Sequence, residues 1–342
     1  MKKSALKPKL VVKRLLSALS PRAKEILTSR YGLGEVLHPL TLEAIGKKYG
    51  ITRERVRQIE NHALELIQKS DVLKKEQEIF EALKEEIDEL GGLVSERELL
   101  GALSKDKSTR NHFTFLLTVG EFFVHEKESA EFHHRWHIDQ ALAKQVQNAL
   151  RKLYQNLSDD DLVPESDLIA HFLSEVQGLN EKYRNEEIAR RWLSLSKTLD
   201  KNPLGEWGKA ESPNVKAKGM RDYAYLVIKR HGSPMHFREV AHSITELFDR
   251  KAHEATCHNE LIKDSRFVLV GRGLYALSEW GYSTGVVKDV IKDILEKNGP
   301  LSRSEIIDLV KKERYVKDNT IIVNLQDGKL FVREGGGRYT LK

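Results

Sequence analysis

Thr41-Leu42-Glu43-Ala44-Ile45-Gly46-Lys47-Lys48-Tyr49-Gly50-Ile51-Thr52-Arg53-Glu54-Arg55-Val56-Arg57-Gln58-Ile59-Glu60 contains two helix starts and one turn. Thr41 and Thr52 stand where a helix N-cap offers its hydroxyl to an unpaired backbone N–H. After Thr41, the apolar residues Leu42, Ile45 and Tyr49 recur at helical spacing. Gly50 then supplies the left-handed residue that closes a helix. After Thr52, a stripe of Val56, Ile59, Ala63 and Ile67 marks a longer helix with one buried face. Two helices joined by a glycine turn form the helix-turn-helix pattern, whose second helix enters the DNA major groove N-terminus first.

The second helix carries Arg53, Glu54, Arg57 and Gln58 at i, i+1, i+4 and i+5, away from the apolar stripe. Arginine presents a fork to guanine, glutamine matches adenine, and glutamate accepts from cytosine N4, so these four are the candidate base readers. Arg22, Lys47, Lys48, Thr52 and Arg55 are the candidate phosphate contacts. A solvated helix carries similar charges, so residue type alone does not separate the two readings. Upstream, Val11, Val12, Leu15, Leu16 and Leu19 keep helical spacing. Ser20-Pro21 opens another helix through Ile26, Leu27 and Tyr31, which Gly32-Leu33-Gly34 ends. Residues 9–70 thus read as one compact helical unit.

Charge agrees with this placement. Residues 1–70 hold 15 Lys and Arg against 6 Asp and Glu, a net +9, whereas the whole chain of 342 residues carries +6 and the remainder therefore −3. A basic patch confined to one segment is the electrostatic footprint of phosphate-backbone binding. The length predicts two to five modules rather than one core. Cys257 is the only cysteine, which excludes an intrachain disulfide and a multi-cysteine zinc site and reads as a buried spectator. No apolar run approaches the ~20 residues that span a bilayer. The basic residues 1–9 open no signal peptide, because Lys13-Arg14 interrupts Leu10-Val11-Val12. The expected location is cytoplasmic and nucleoid-associated, with no membrane partner.

Leu19-Ser20-Pro21-Arg22 through Arg30-Tyr31-Gly32, Thr41 to Gly46, and Ile51 to Glu60 together resemble region 4 of the primary bacterial sigma factors. The resemblance implies that Arg53, Glu54, Arg57 and Gln58 read bases of an upstream promoter element. It also implies docking on the β flap of core RNA polymerase, so duplex DNA and polymerase are the expected partners. Asn61-His62 departs from the Ala-Lys pair common in that family. Sigma factors place this region last, after promoter-melting segments; here it comes first, and the chain is expected to regulate rather than to initiate alone. An alternative is a polymerase-binding scaffold with little DNA contact of its own.

The rest of the chain repeats weakly. Glu98, Asp167, Glu239 and Glu305 each follow a turn and open an apolar helix, about 70 residues apart, a period of small domains rather than a solenoid. Phe122-Phe123-Val124 with Arg135-Trp136-His137-Ile138, Phe267-Val268-Leu269 with Leu274-Tyr275-Ala276-Leu277, and Leu330-Phe331-Val332 with Arg338-Tyr339-Thr340-Leu341 read as strand pairs. Gly271 to Gly273 and Gly335 to Gly337 supply turn residues. The expected fold is mainly α with small β-hairpins: a helix-turn-helix over 9–70, then tandem winged helices over 75–139, 140–212, 219–282 and 283–342. The stretch 201–218 reads as a linker, leaving 140–212 the least regular of these.

Within 219–282, Ala224-Tyr225-Leu226, Gly232 to Glu239 and Arg266 to Trp280 resemble the HARE-HTH winged helix, also found in the polymerase delta subunit. That resemblance implies an adaptor associated with DNA or polymerase. Arg272, Arg333 and Arg338 are candidate wing contacts, and the charge of −3 leaves DNA and protein equally open as their partners.

Other chemistry is absent. His133 and His137 have i, i+4 spacing, but on a strand they stand too far apart for one ion without a third ligand, so they read as solvated histidines. Asp159-Asp160-Asp161 reads as an acidic helix start rather than a magnesium site. No phosphate-cradling loop, Ser/His/Asp set or paired carboxylates stand out. The chain is expected not to be an enzyme and to need no cofactor or metal.

Overall fold

The computed structural model describes residues 6–282 and 285–342, and the chain divides into two compact units, 1–200 with 207–210 and 201–206 with 211–342. The first unit opens with α1 (Pro8–Leu16), α2 (Pro21–Tyr31), α3 (Leu42–Tyr49), α4 (Arg53–Gln68) and the short α5 (Asp71–Lys75). Their ends follow the capping residues. The hydroxyls of Ser20, Thr41 and Thr52 accept from the backbone N–H of Ala23, Ala44 and Arg55 at 3.4, 3.1 and 3.1 Å. Gly32 and Gly50 end α2 and α3 at φ +63° and +66°. Ser70 caps α5 through Leu73 N–H.

There follow α6 (Gln77–Glu89), β1 (Leu93–Ser95), α7 (Glu96–Leu103), α8 (Lys107–Val119), β2 (Val124–Glu126) and β3 (Arg135–His137). The three strands form an antiparallel sheet in the order β1-β3-β2. One buried cluster joins this stretch to α1, α2, α4 and α5, beside a smaller core of α2, α3 and α4. Val12, Leu15, Leu27 and Ile67 share one buried cluster with Phe80, Leu83, Phe115 and Leu116. Tyr31 of α2 meets Phe115 of α8 edge-on, ring centroids 5.2 Å apart. The unit closes with α9 (Gln140–Asn156), α10 (Glu165–Glu175), α11 (Glu186–Leu193) and a hairpin of β4 (Leu199–Lys201) and β5 (Trp207–Lys209), so 201–218 is not wholly a linker. Trp192 is fully buried and donates its indole N–H to Leu93 O at 3.1 Å, which ties α11 to β1.

The second unit runs α12 (Met220–His231), β6 (Met235–His236), α13 (Phe237–Phe248), α14 (Glu254–Lys263), β7 (Phe267–Gly271) and β8 (Leu274–Leu277). It then repeats the order in α15 (Val287–Asn298), β9 (Leu301–Ser302), α16 (Arg303–Glu313), α17 (Asp318–Leu325), β10 (Phe331–Arg333) and β11 (Arg338–Leu341). The sheet orders are β6-β8-β7 and β9-β11-β10, the same arrangement as β1-β3-β2. Residues 140–212 lack an equivalent first strand and keep a lone bridge from Val163 to Trp207. Cys257 is buried, and burial pushes its thiol up to about 12, which keeps it inert.

Three expectations need correction. His137 is fully buried, because β3 is the central strand and covered on both faces, while His133 and His134 are exposed. Asp159, Asp160 and Asp161 lie between α9 and α10, and α10 begins only at Glu165, after Pro164. Of the turn glycines, Gly273, Gly336 and Gly337 take positive φ, whereas Gly271 and Gly335 do not.

Candidate nucleic-acid interface

The buried side chains of Ile26, Ile45 and Val56 join α2, α3 and α4 into a small core. Gly46 lets the chain double back: a Cβ there would lie 2.6 Å from the carbonyl oxygen of Ile51, inside any tolerable contact. Two residues that the spacing did not single out fix the direction of α4. Arg30 donates to Glu60 at 3.2 Å and to the Leu40 carbonyl at 3.1 Å, linking α2, α4 and the approach to α3. They lie 30 positions apart, so no local pattern marks them. Burial, then the neighbouring Glu60 charge, raises the Tyr31 phenol well above its ordinary value and keeps it neutral.

This scaffold presents Arg53, Glu54, Arg57 and Gln58 together on the exposed face at the start of α4. Arg57 donates Nη2 to Glu54 Oε1 at 2.6 Å and Nε to Oε2 at 2.9 Å. The hydrogen bond from Arg57 holds the Glu54 carboxyl below its usual range. Arg55 Nη1 donates to Gln58 Oε1 at 3.1 Å, so both candidate phosphate contact and candidate base reader are pre-set by one bond.

A shallow groove runs between Glu43 and Lys47 of α3 and Thr52, Arg53 and Arg55 at the start of α4. First-turn N–H groups and the positive end of the helix dipole favour an anion there. Lys47 pairs with Glu43 at 3.0 Å, both largely exposed. The Lys48 ammonium lies 5.1 Å from the Tyr49 ring centroid. Arg22 is exposed in the first turn of α2. Arg272, Arg333 and Arg338 belong to the second unit, at or beside its hairpin turns, and are exposed. Among the described residues no group of three His, Cys, Asp or Glu is placed to hold a metal, and no helix is long and apolar enough to cross a membrane.

Residues 15–69 match the family described as sigma-70, region 4. The chain is 48% identical over 50 residues to RNA polymerase principal sigma factor HrdD of Streptomyces coelicolor, covering 15% of each protein. It is 52% identical over 50 residues to RNA polymerase sigma factor SigA1 of Synechococcus elongatus, covering 15% of this chain and 12% of that protein. With SigA of Nostoc sp. the identity is 47% over 53 residues, 16% of this chain and 13% of that protein. The chain thus matches only a small part of the length of these relatives. The family match spans the segment that carries Arg53, Glu54, Arg57 and Gln58, and residues 15–69 are a sigma-70 region 4 helix-turn-helix within a mostly helical chain.

Proposed function

We propose that this chain is a sequence-specific DNA-binding transcription protein, associated with RNA polymerase and without enzymatic activity. The observation that carries the reading is the exposed cluster of Arg53, Glu54, Arg57 and Gln58 at the N-terminus of α4. Those tips read base edges of an upstream promoter-like element, while Arg22, Lys47, Lys48, Thr52 and Arg55 hold the backbone. The region 4 unit also docks on the β flap of core polymerase in this reading. The repeated helix-strand-helix-helix-strand-strand order supports winged helices over 75–139, 219–282 and 283–342, the second of them of HARE-HTH type, with 140–212 a shortened relative. Arg272, Arg333 and Arg338 are then wing contacts.

Titration of the full chain with a promoter-derived duplex and a random duplex at about 0.15 M salt tests the proposal. Preference for the promoter duplex is the expected result, and equal affinities overturn it. A second reading, a polymerase-bound scaffold, draws support from the pairing of Arg57 with Glu54 and Lys47 with Glu43, which leaves less uncommitted positive charge. It requires polymerase capture on DNA-free material together with equal affinity for both duplexes.

A further inference from the structure

The second unit contains a cavity of about 570 Å³ between the β7–β8 turn and the start of α17, within the usual size of small-molecule sites. We propose that it binds a phosphate-bearing aromatic small molecule of the mononucleotide class. This site is independent of the region 4 reading.

The cavity is built rather than incidental. Tyr315 donates its backbone N–H to the Val270 carbonyl at 2.8 Å and bridges Gly271 in parallel, so the segment before α17 extends the edge of β7. Any Cβ on Gly271 would stand 3.0 Å from the Tyr315 carbonyl oxygen. Arg272, Arg314 and Lys317 line the space, and among the described residues no Asp or Glu does, which selects an anion. Arg314 is only 3% exposed, and its guanidinium donates to the carbonyls of Gly285 and Glu313, each at 3.2 Å, which fixes its position at the back. Lys317 is the N-cap of α17, whose Thr320 N–H already donates to the Lys317 carbonyl at 2.9 Å and whose first turn carries Asp318, so the cations rather than the helix end select the anion. Arg272 and Lys317, both exposed, supply the phosphate contacts.

Part of the lining is apolar and exposed. Leu269, Val286 and Tyr315 are 50%, 57% and 56% exposed, an unusual concentration of uncovered apolar surface beside cations. The Tyr315 ring offers a stacking surface for a flat base. One phosphate and one ring match one nucleotide.

Titration of the full chain with the four ribonucleoside 5′-monophosphates, inorganic phosphate and adenosine tests the site. At least one monophosphate is expected to saturate with Kd below about 1 mM. Arg272→Glu and Lys317→Glu, both at exposed positions, should each weaken it about tenfold, a difference of about 1.4 kcal/mol. Tyr315→Ala should weaken the monophosphate and leave inorganic phosphate unchanged. The proposal fails if no monophosphate saturates, if inorganic phosphate binds equally well, or if the charge reversals change nothing. It fails equally if those reversals weaken duplex DNA binding alone, since both cations would then serve the DNA backbone.

Discussion

Arg57 commits Nη2 and Nε to the Glu54 carboxylate one turn earlier, at 2.6 and 2.9 Å, and Nη1 stays outside that pair. One edge of the guanidinium is therefore occupied before any DNA arrives, and a guanine fork that uses Nη2 has to displace the carboxylate. Binding must exchange one carboxylate for a base edge, and the exposed pair yields at small cost. Glu54→Ala is expected to raise affinity for random duplex, by removing a negative charge near phosphates, while lowering the ratio of specific to random binding. Arg57→Ala is expected to cost about 1–3 kcal/mol on the preferred site and to relax one base pair. Titrations of both variants against matched and mismatched duplexes check this.

Lys47 has the opposite role. Its ion pair with Glu43 is 78% and 68% exposed at the two side chains, so it competes weakly with a phosphate. Lys47→Ala should weaken all sequences alike and reduce the slope of log K against log salt by about one. A salt series on one specific and one random duplex reads both quantities.

The turn between α3 and α4 distinguishes its two glycines. Gly50 has φ +66° and nothing within 4 Å of a Cβ, so Gly50→Ala should cost about 1 kcal/mol from backbone conformation alone. Gly46 meets backbone at 2.6 Å, and Gly46→Val should cost more, about 1–3 kcal/mol of overpacking, and displace α4. Thermal melts give the order, and loss of specific DNA binding should follow Gly46→Val more closely than Gly50→Ala.

Phe115 lies in the core shared by the region 4 helices and α8. Phe115→Ala should cost about 3–5 kcal/mol. Amide exchange should then speed up in α1 and α2 as well as in α8. Faster exchange confined to α8 would mean that the first helices fold without it.

Burial lowers the pKa of His137 and of His112 from the ordinary 6.5, the Glu126 charge beside His137 opposing it only in part. A depressed folded value means that the unfolded chain binds the extra proton first. The stabilisation is complete above the ordinary value and is lost as pH falls through it toward the folded value. The melting temperature should fall between about pH 7 and pH 5, and His137→Asn should flatten that dependence whatever its effect at pH 7.

Local chemistry made the helix-turn-helix legible. Thr41, Gly50 and Thr52 act on neighbours within four residues, and the stripe from Val56 to Ile67 needs only helical spacing. Contacts between distant segments were not legible in the same way. Nothing near Arg30 points to Glu60, and nothing near Tyr31 points to Phe115, because each pairing exists only once the helices have packed. His137 illustrates the same limit: the alternation of a strand is visible, but the burial of both faces depends on two distant clusters that cover the sheet, one taking Val94 and Trp136 and the other Leu93. Asp159 misled for a related reason, since it answers Lys209 across 50 residues rather than a helix start beside it.

Selection from a pool of random duplexes, run in parallel with the native chain and with Arg57→Ala at about 0.15 M salt, interrogates the recognition face most directly. The native chain should enrich one short motif, and the variant should enrich the same motif with a single position degenerate. An unenriched pool, or identical motifs from both proteins, would contradict base reading by α4.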